Sequence, residues 1–180
     1  ESFANNYGMD LIILRFFNLF GPHQDVRRKS PPLTSYLARE LYCNRTPILY
    51  NNSPIKRDYV FSSDLLALLT EVAGDTRQFK ADIFNVCSGN GYSVPEIADI
   101  MVKISGKSLA PEYKEPSKFW DLYPELFDAK HSLSKKRVER EVFKSSIGDP
   151  SKVQRVFNWK PKVNLEEGLE EVFTSVGKFL

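Results

Sequence analysis

The sequence predicts an α/β fold in which buried strands alternate with amphipathic helices, and two stretches carry that prediction. Ile12, Ile13, Leu14, Phe16 and Phe17 form an apolar run that does not alternate with polar residues, which suits a parallel strand covered on both faces. Ile83 to Cys87 repeats the pattern and passes through a glycine-containing turn into an amphipathic helix, making a strand, loop and helix unit.

The elements follow in order. Residues 1–7 read as the end of a helix stopped by Gly8, and the strand run from Ile12 to Phe20 comes next. From Gly21 to Pro32 the segment GPHQDVRRKSPP is basic, polar and broken by prolines, so it reads as a long loop before the helix LTSYLARELYCN. Ile48–Tyr50 and Asp58–Phe61 are short strand candidates separated by Asn51, Asn52, Ser53 and Pro54, which predicts a hairpin.

Ser62 or Ser63 can cap a helix whose apolar face is Leu65, Leu66, Leu68, Leu69 and Val72, ending at Gly74. Ser93 and Glu96 stand at the spacing of a capping box, with Val94, Ile97, Ile100, Met101 and Ile104 as the buried face up to Gly106. Residues 107–147 show no clean period beyond helical pieces near Phe119 to Phe127. Asp149 and Asn164 can cap the last two helices, the first with Pro150 at its start, the second with Leu165, Leu169, Val172, Phe173 and Val176 on its apolar face.

Composition bounds the function. A chain of 180 residues with 42% hydrophobic composition has ample core, and 25 Lys and Arg against 23 Asp and Glu is too even a balance to imply nucleic acid or an anionic membrane. Cys43 and Cys87 lie at no metal-ligand spacing from each other or from His23 and His131, so a metal centre is not expected and two reduced cysteines suit a cytoplasmic protein. No apolar stretch approaches the roughly 20 residues of a membrane span.

Four stretches in this order, YGMDLIILRFFNLFGPHQ, KRDYVFSSDLLALL, FNVCSGNGYSVPEIADIM and GDPSKVQRVFNWKPKVNLEEGLEEV, resemble the carboxyl-terminal half of the extended short-chain dehydrogenases/reductases, the nucleotide-sugar epimerases and dehydratases. The resemblance implies late strands of a Rossmann-type parallel sheet, formed by residues 1–24 and 83–89, plus a smaller α/β substrate-binding lobe within residues 1–180. It also implies an NAD or NADP cofactor, a nucleotide-diphosphate sugar as partner, and a homodimer.

What the family adds upstream is expected to be missing here. None of the nine glycines forms a dinucleotide-binding fingerprint, and none of the eight tyrosines is followed four positions later by lysine. In the resembled mechanism that tyrosine takes a proton from a sugar hydroxyl while the cofactor removes hydride, giving a keto-sugar that is inverted, dehydrated or reduced. Residues 1–180 alone are therefore expected to be inactive, and the N-terminal dinucleotide-binding half to be absent.

The resemblance assigns roles residue by residue. Asn18, at the carboxyl end of a strand, would contact the sugar or diphosphate, and Phe16 and Phe17 would border the nicotinamide, with simple core packing as the competing role. Arg57 would grip the diphosphate through its guanidinium fork, against a structural ion pair with Asp58. Ile48 and Tyr50 would close over the base, and Leu33 and Thr34 would touch it.

Arg137, with Arg140 and Glu141, would read base and ribose as in GDP-sugar relatives, although the spacing departs by about one residue; NVCSG and GDPSK lean the same way. Arg27, Arg28 and Lys29 read as a solvated basic loop, and His23 and His131 as surface or capping residues. Two rivals stay open: a non-catalytic nucleotide-sugar-binding scaffold on the same fold, and a self-contained α/β domain of unrelated function.

Overall fold

The computed structural model describes residues 2–50, 52–116, 120–128 and 133–180, with the backbone alone at 135, 139, 141 and 142. The turn residue Asn51, the start of the helical piece at Phe119, the role weighed for His131 and the Glu141 side chain lie outside the described residues. Two hydrophobic clusters organise the fold.

The first surrounds a two-stranded parallel sheet. β1 (Ile12–Phe16) runs beside β5 (Asp82–Val86) in the register Ile12 to Asp82 through Phe16 to Val86. Helix α3 (Ser62–Gly74) and helix α7 (Ser151–Phe157) cover it, burying Leu65, Leu68, Phe84, Val86 and Val153. Phe84 meets Phe79 and Phe157 edge-on at 6.0 and 5.2 Å between ring centroids, and Trp159 donates its indole N–H to the Asp64 carbonyl at 2.9 Å.

The second cluster packs α2 (Leu33–Tyr42), α4 (Val94–Ser105) and α8 (Leu165–Val176) together around Leu37, Leu41, Ile97, Met101, Leu169 and Val172. Each of these side chains is almost wholly buried, and burial of one contributes about 1.5–3 kcal/mol. Gly168 lets α8 approach closely: a Cβ there would stand 2.7 Å from the Phe20 ring and 2.8 Å from Phe61.

β4 (Lys56–Phe61) ties the two clusters. It pairs in parallel with β2 (Asn18–Phe20) and antiparallel with β6 (Gly91–Ser93), and Val60 faces one cluster while Phe61 faces the other. Short strands β3 (Ile48–Leu49) and β7 (Glu112–Tyr113) pair in parallel. Helices α1 (Ser2–Tyr7), α5 (Glu125–Asp128) and α6 (Lys135–Val142) complete the described elements. None of the described helices is long and apolar enough to cross a membrane.

The expected capping box of Ser93 with Glu96 is present on α4, and Asn164 caps α8 as expected, there in a capping box with Glu167. Gly106 takes the left-handed conformation, φ 65°, at the end of α4. Asp149 is not the N-cap of α7: the helix begins at Ser151 with Pro150 as its cap residue and no side-chain cap bond, and the Asp149 carboxylate accepts from the Ser151 amide at 2.9 Å one residue outside it.

Five further expectations are corrected. The Ile48 and Asp58 segments form no hairpin, because β3 finds its partner in β7 and β4 in β2 and β6. The run Ile12 to Phe20 is two strands rather than one; at Phe17 the chain leaves β5 for β4, so residues 18–20 belong to the second sheet. β1 is less covered than its composition implies, with Arg15 and Phe16 exposed, since β5 is its only strand partner among the described residues. Neither Ser62 nor Ser63 caps α3, which starts directly after Phe61 with no side-chain cap. Its expected face is only partly buried, Leu66 and Leu69 remaining exposed.

Candidate functional site

Leu33, Ile48 and Tyr50, distant in sequence, line one cavity of about 470 Å³ together with Tyr36, Trp120 and Tyr123. Local structure explains the convergence. Leu33 opens α2 directly after Pro32, which ends the proline-broken loop. The Tyr36 hydroxyl, one turn further, accepts from the Ile48 amide at 2.8 Å and donates to the Ile48 carbonyl at 3.1 Å, pinning β3 against α2. β7 holds the other side of β3, the Lys114 amide donating to the Leu49 carbonyl at 2.8 Å.

The cavity is aromatic, and among the described residues no carboxylate lines it. Its one charged lining residue is Lys29, whose ammonium lies 4.7 Å from the centroid of the Tyr123 ring. Burial pushes the Tyr36 phenol up, opposed by its bond to Ile48, so this hydroxyl stays a neutral hydrogen-bonding group. An apolar slot with flat rings and a cation at its edge suits a planar, partly polar ligand joined to negative charge.

Thr34 does not enter the cavity: it is buried, and its hydroxyl donates to the Gln24 side chain at 3.1 Å, fastening α2 to the loop. Asn18 begins β2, where its side-chain amide donates to the Asp58 carbonyl at 2.7 Å; the residue is otherwise exposed. Phe16 is half exposed at the end of β1. Phe17 is half buried, its amide donating to the Val86 carbonyl at 3.1 Å, and its ring lies close enough to Gly148 that a Cβ there would stand 2.7 Å away.

Arg57 is half buried on β4, directly across from Tyr92 of β6 and two residues from Tyr59. Burial pushes the Tyr59 phenol up to about 12, with the Arg57 charge opposing the shift. Asp58 makes no ion pair with Arg57. Its carboxylate is wholly buried and accepts from the Ser88 amide (2.7 Å) and hydroxyl (2.8 Å), the Gly89 amide (2.9 Å) and the Gly148 amide (3.2 Å). Arg137 is exposed on α6 and does not line the cavity.

Lys29, Tyr36, Trp120 and Tyr123 were not expected at the site. The signal for the last two was the aromatic density of PSKFWDLYPELF, which has no helical or strand period. The signal for Lys29 was the prolines, which turn a run of basic residues back over the start of α2.

Cavity, parallel sheet and β4 together belong to an α/β fold. A match to the GDP-mannose 4,6 dehydratase family covers residues 1–172, and the chain belongs to that family. It is 28% identical over 172 residues to the UDP-glucose 4-epimerase of Bacillus subtilis, covering 86% of this chain and 43% of that protein. The UDP-glucose 4-epimerase of Thermotoga maritima, solved with UDP-glucose, superposes with a TM-score of 0.76 at 24% identity over 99% of this chain and 49% of that one. The UDP-glucuronic acid 4-epimerase of Bacillus cereus, solved with UDP-glucuronic acid and NAD, gives a TM-score of 0.76 at 17% identity, covering 99% and 49%. The chain thus spans about half the length of the relatives it matches.

Among the described residues nothing cradles the pyrophosphate of a dinucleotide. The three glycines with positive φ are Gly8 and Gly106, which end helices, and Gly89, whose amide is committed to Asp58. No cluster of His, Cys, Asp and Glu that could hold a metal ion occurs among the described residues.

Proposed function

We propose that residues 1–180 are the nucleotide-sugar-binding portion of an NAD(P)-dependent epimerase or dehydratase that works through a keto-sugar. The observation that carries this reading is the convergence of Leu33, Ile48 and Tyr50 on one aromatic cavity that no carboxylate lines among the described residues. In this reading the base lies between Tyr50 and the Leu33 end of α2, Arg57 and Asn18 meet the diphosphate and sugar, and Phe16 and Phe17 border the nicotinamide. Arg137 acts at the ribose side, and Thr34 orders the loop that carries Lys29.

The chain's own chemistry is binding and exclusion of water. Proton abstraction and hydride removal fall to a tyrosine, a lysine and a cofactor held mainly by residues outside this chain, which alone is inactive. We assign the full protein to the cytoplasm and to a homodimer by analogy with the family.

Calorimetric titration of the full-length protein against UDP-, GDP-, dTDP- and CDP-sugars tests the reading. One nucleotide class binds, and Arg57→Ala loses about 2 kcal/mol, as when a charged hydrogen-bond partner is removed. Binding without turnover would favour a non-catalytic scaffold; equal binding by the variant would displace the diphosphate from Arg57.

A further inference from the structure

A second cavity of about 300 Å³ shares no lining residue with the first. It lies where β4 and β6 meet the Ser88–Asn90 turn, helix α7 and the 160–165 segment that leads into α8. Its polar lining is Tyr59, Tyr92, Asn90, Gln154, Lys160 and Lys162, with Ser88 and Asn164 beside them.

The charge pattern is one-sided. Among the described residues, two lysines line this cavity and no carboxylate does. The nearby acids are already committed: Asp58 lies behind Ser88 and is saturated by four donors, Asp64 accepts from the Lys162 and Val163 amides at 3.0 and 3.1 Å, Glu166 pairs with Lys103 at 2.8 Å, and Glu167 accepts from the Asn164 amide at 3.1 Å. Among the described residues, no hydrogen bond or ion pair engages the ammonium groups of Lys160 and Lys162, the hydroxyls of Tyr59 and Tyr92 or the Gln154 amide.

Lys160 and Lys162 are exposed and bring their charge to the rim of the cavity, whereas Tyr59, Tyr92 and Gln154 are partly buried donors that gain from an acceptor placed among them. Leu165, also in the lining, is the first residue of the 12-residue helix α8, whose start is already capped by Asn164 and Glu167 and offset by the Glu166 and Glu167 carboxylates, so the helix end adds no charge of its own to the cavity. Tyr59, with its phenol held protonated up to about 12, remains a hydrogen-bond donor throughout the physiological range.

We propose that this cavity binds a small oxyanion, phosphate or a phosphomonoester, at a site separate from the nucleotide-sugar cavity. Lys160 and Lys162 supply the charge from the rim, and the Tyr59 and Tyr92 hydroxyls and the Gln154 amide fix the oxygens. Because Ser88 lines the cavity and also holds Asp58, an anion there would stiffen the joint between β5 and β4.

Inorganic phosphate, titrated into the full-length protein at constant ionic strength and followed by amide chemical shifts, tests the site. Saturable shifts are expected at Ser88, Asn90, Gln154 and Leu165, weakened about tenfold or more in the folded K160A/K162A variant, as for charge-assisted contacts. Should the double variant not fold, Lys160→Gln and Lys162→Gln separately are each expected to weaken the same shifts. Nucleotide-sugar binding stays unchanged in all three, which separates this site from the one proposed above. A sugar phosphate binding more tightly than phosphate would identify an esterified ligand, and the reverse a free ion; either supports the site. No saturable shift, shifts indifferent to the lysine variants, or shifts abolished by Arg57→Ala alone would overturn it.

Discussion

Asp58 and Ser88 are joined twice: the buried carboxylate accepts from the Ser88 amide at 2.7 Å and from its hydroxyl at 2.8 Å. The same carboxylate holds the Gly89 and Gly148 amides, and its own carbonyl receives the Asn18 side chain. One residue thus fastens β2, the turn after β5 and the segment before α7 to β4. Removing it orphans four donors, so Asp58→Ala should cost about 3 kcal/mol or more in urea unfolding. A loss under about 1 kcal/mol would show that water substitutes for the carboxylate.

Acid should loosen α4 first. The Ser93 amide, then the Ser93 hydroxyl, then Lys56 hold the Glu96 carboxyl down to about 2 from an ordinary 4.5. Glu40 is likewise lowered, mainly by its Arg45 partner. A depressed carboxylate contributes stability that is present above about 4.5 and lost as pH falls towards 2. Melting temperature should therefore drop between pH 5 and pH 2.5, and Glu96→Gln, which keeps the cap but cannot titrate, should flatten that drop. An unchanged slope would mean the Glu96 charge contributes nothing.

The two cysteines should behave differently. Cys87 is wholly buried, and desolvation with nearby Asp58 and Asp149 pushes its thiol up to about 12, whereas Cys43 is partly accessible. A thiol reagent at pH 8 should label one group in the native protein and the second only on unfolding. Rapid labelling of both would contradict the packing of β5 against the Gly148 segment.

Lys29 should matter for binding despite its place in a basic loop. Its stacking on Tyr123 joins that loop to the aromatic wall of the cavity, a contact of about 0.5–1 kcal/mol at exposed sites. Lys29→Met should weaken nucleotide-sugar binding roughly two- to fivefold, while Arg28→Met, outside the cavity lining, should not. Equal effects would indicate general electrostatic attraction instead.

The legible parts of the fold were those with a local cause. Ser93 with Glu96, the Asn164 cap and the end of α4 at Gly106 are decided within a few residues, and the structure contains all three as expected, with Glu167 completing a second capping box that was not foreseen. The hairpin failed because Asn52, Ser53 and Pro54 announce a turn but say nothing of which strand Ile48 joins; Glu112, more than sixty positions away, decides that. Leu33, Ile48 and Tyr50 were named through the family resemblance and the structure brings them into one cavity, whereas Trp120 and Tyr123, which join them there, lie in a stretch with no period to read. Asp58 was seen only as a neighbour of Arg57, since its four partners lie thirty or more positions away.

The most direct measurement is the affinity of the full-length protein for its best nucleotide sugar, compared with that of Tyr50→Ala and with that of the corresponding free nucleoside diphosphate. If the base occupies the cavity lined by Leu33, Ile48 and Tyr50, the diphosphate should bind nearly as well as the sugar conjugate, and Tyr50→Ala should weaken both by about fivefold or more. Unchanged affinity in Tyr50→Ala would place the base elsewhere and contradict the assignment of this cavity.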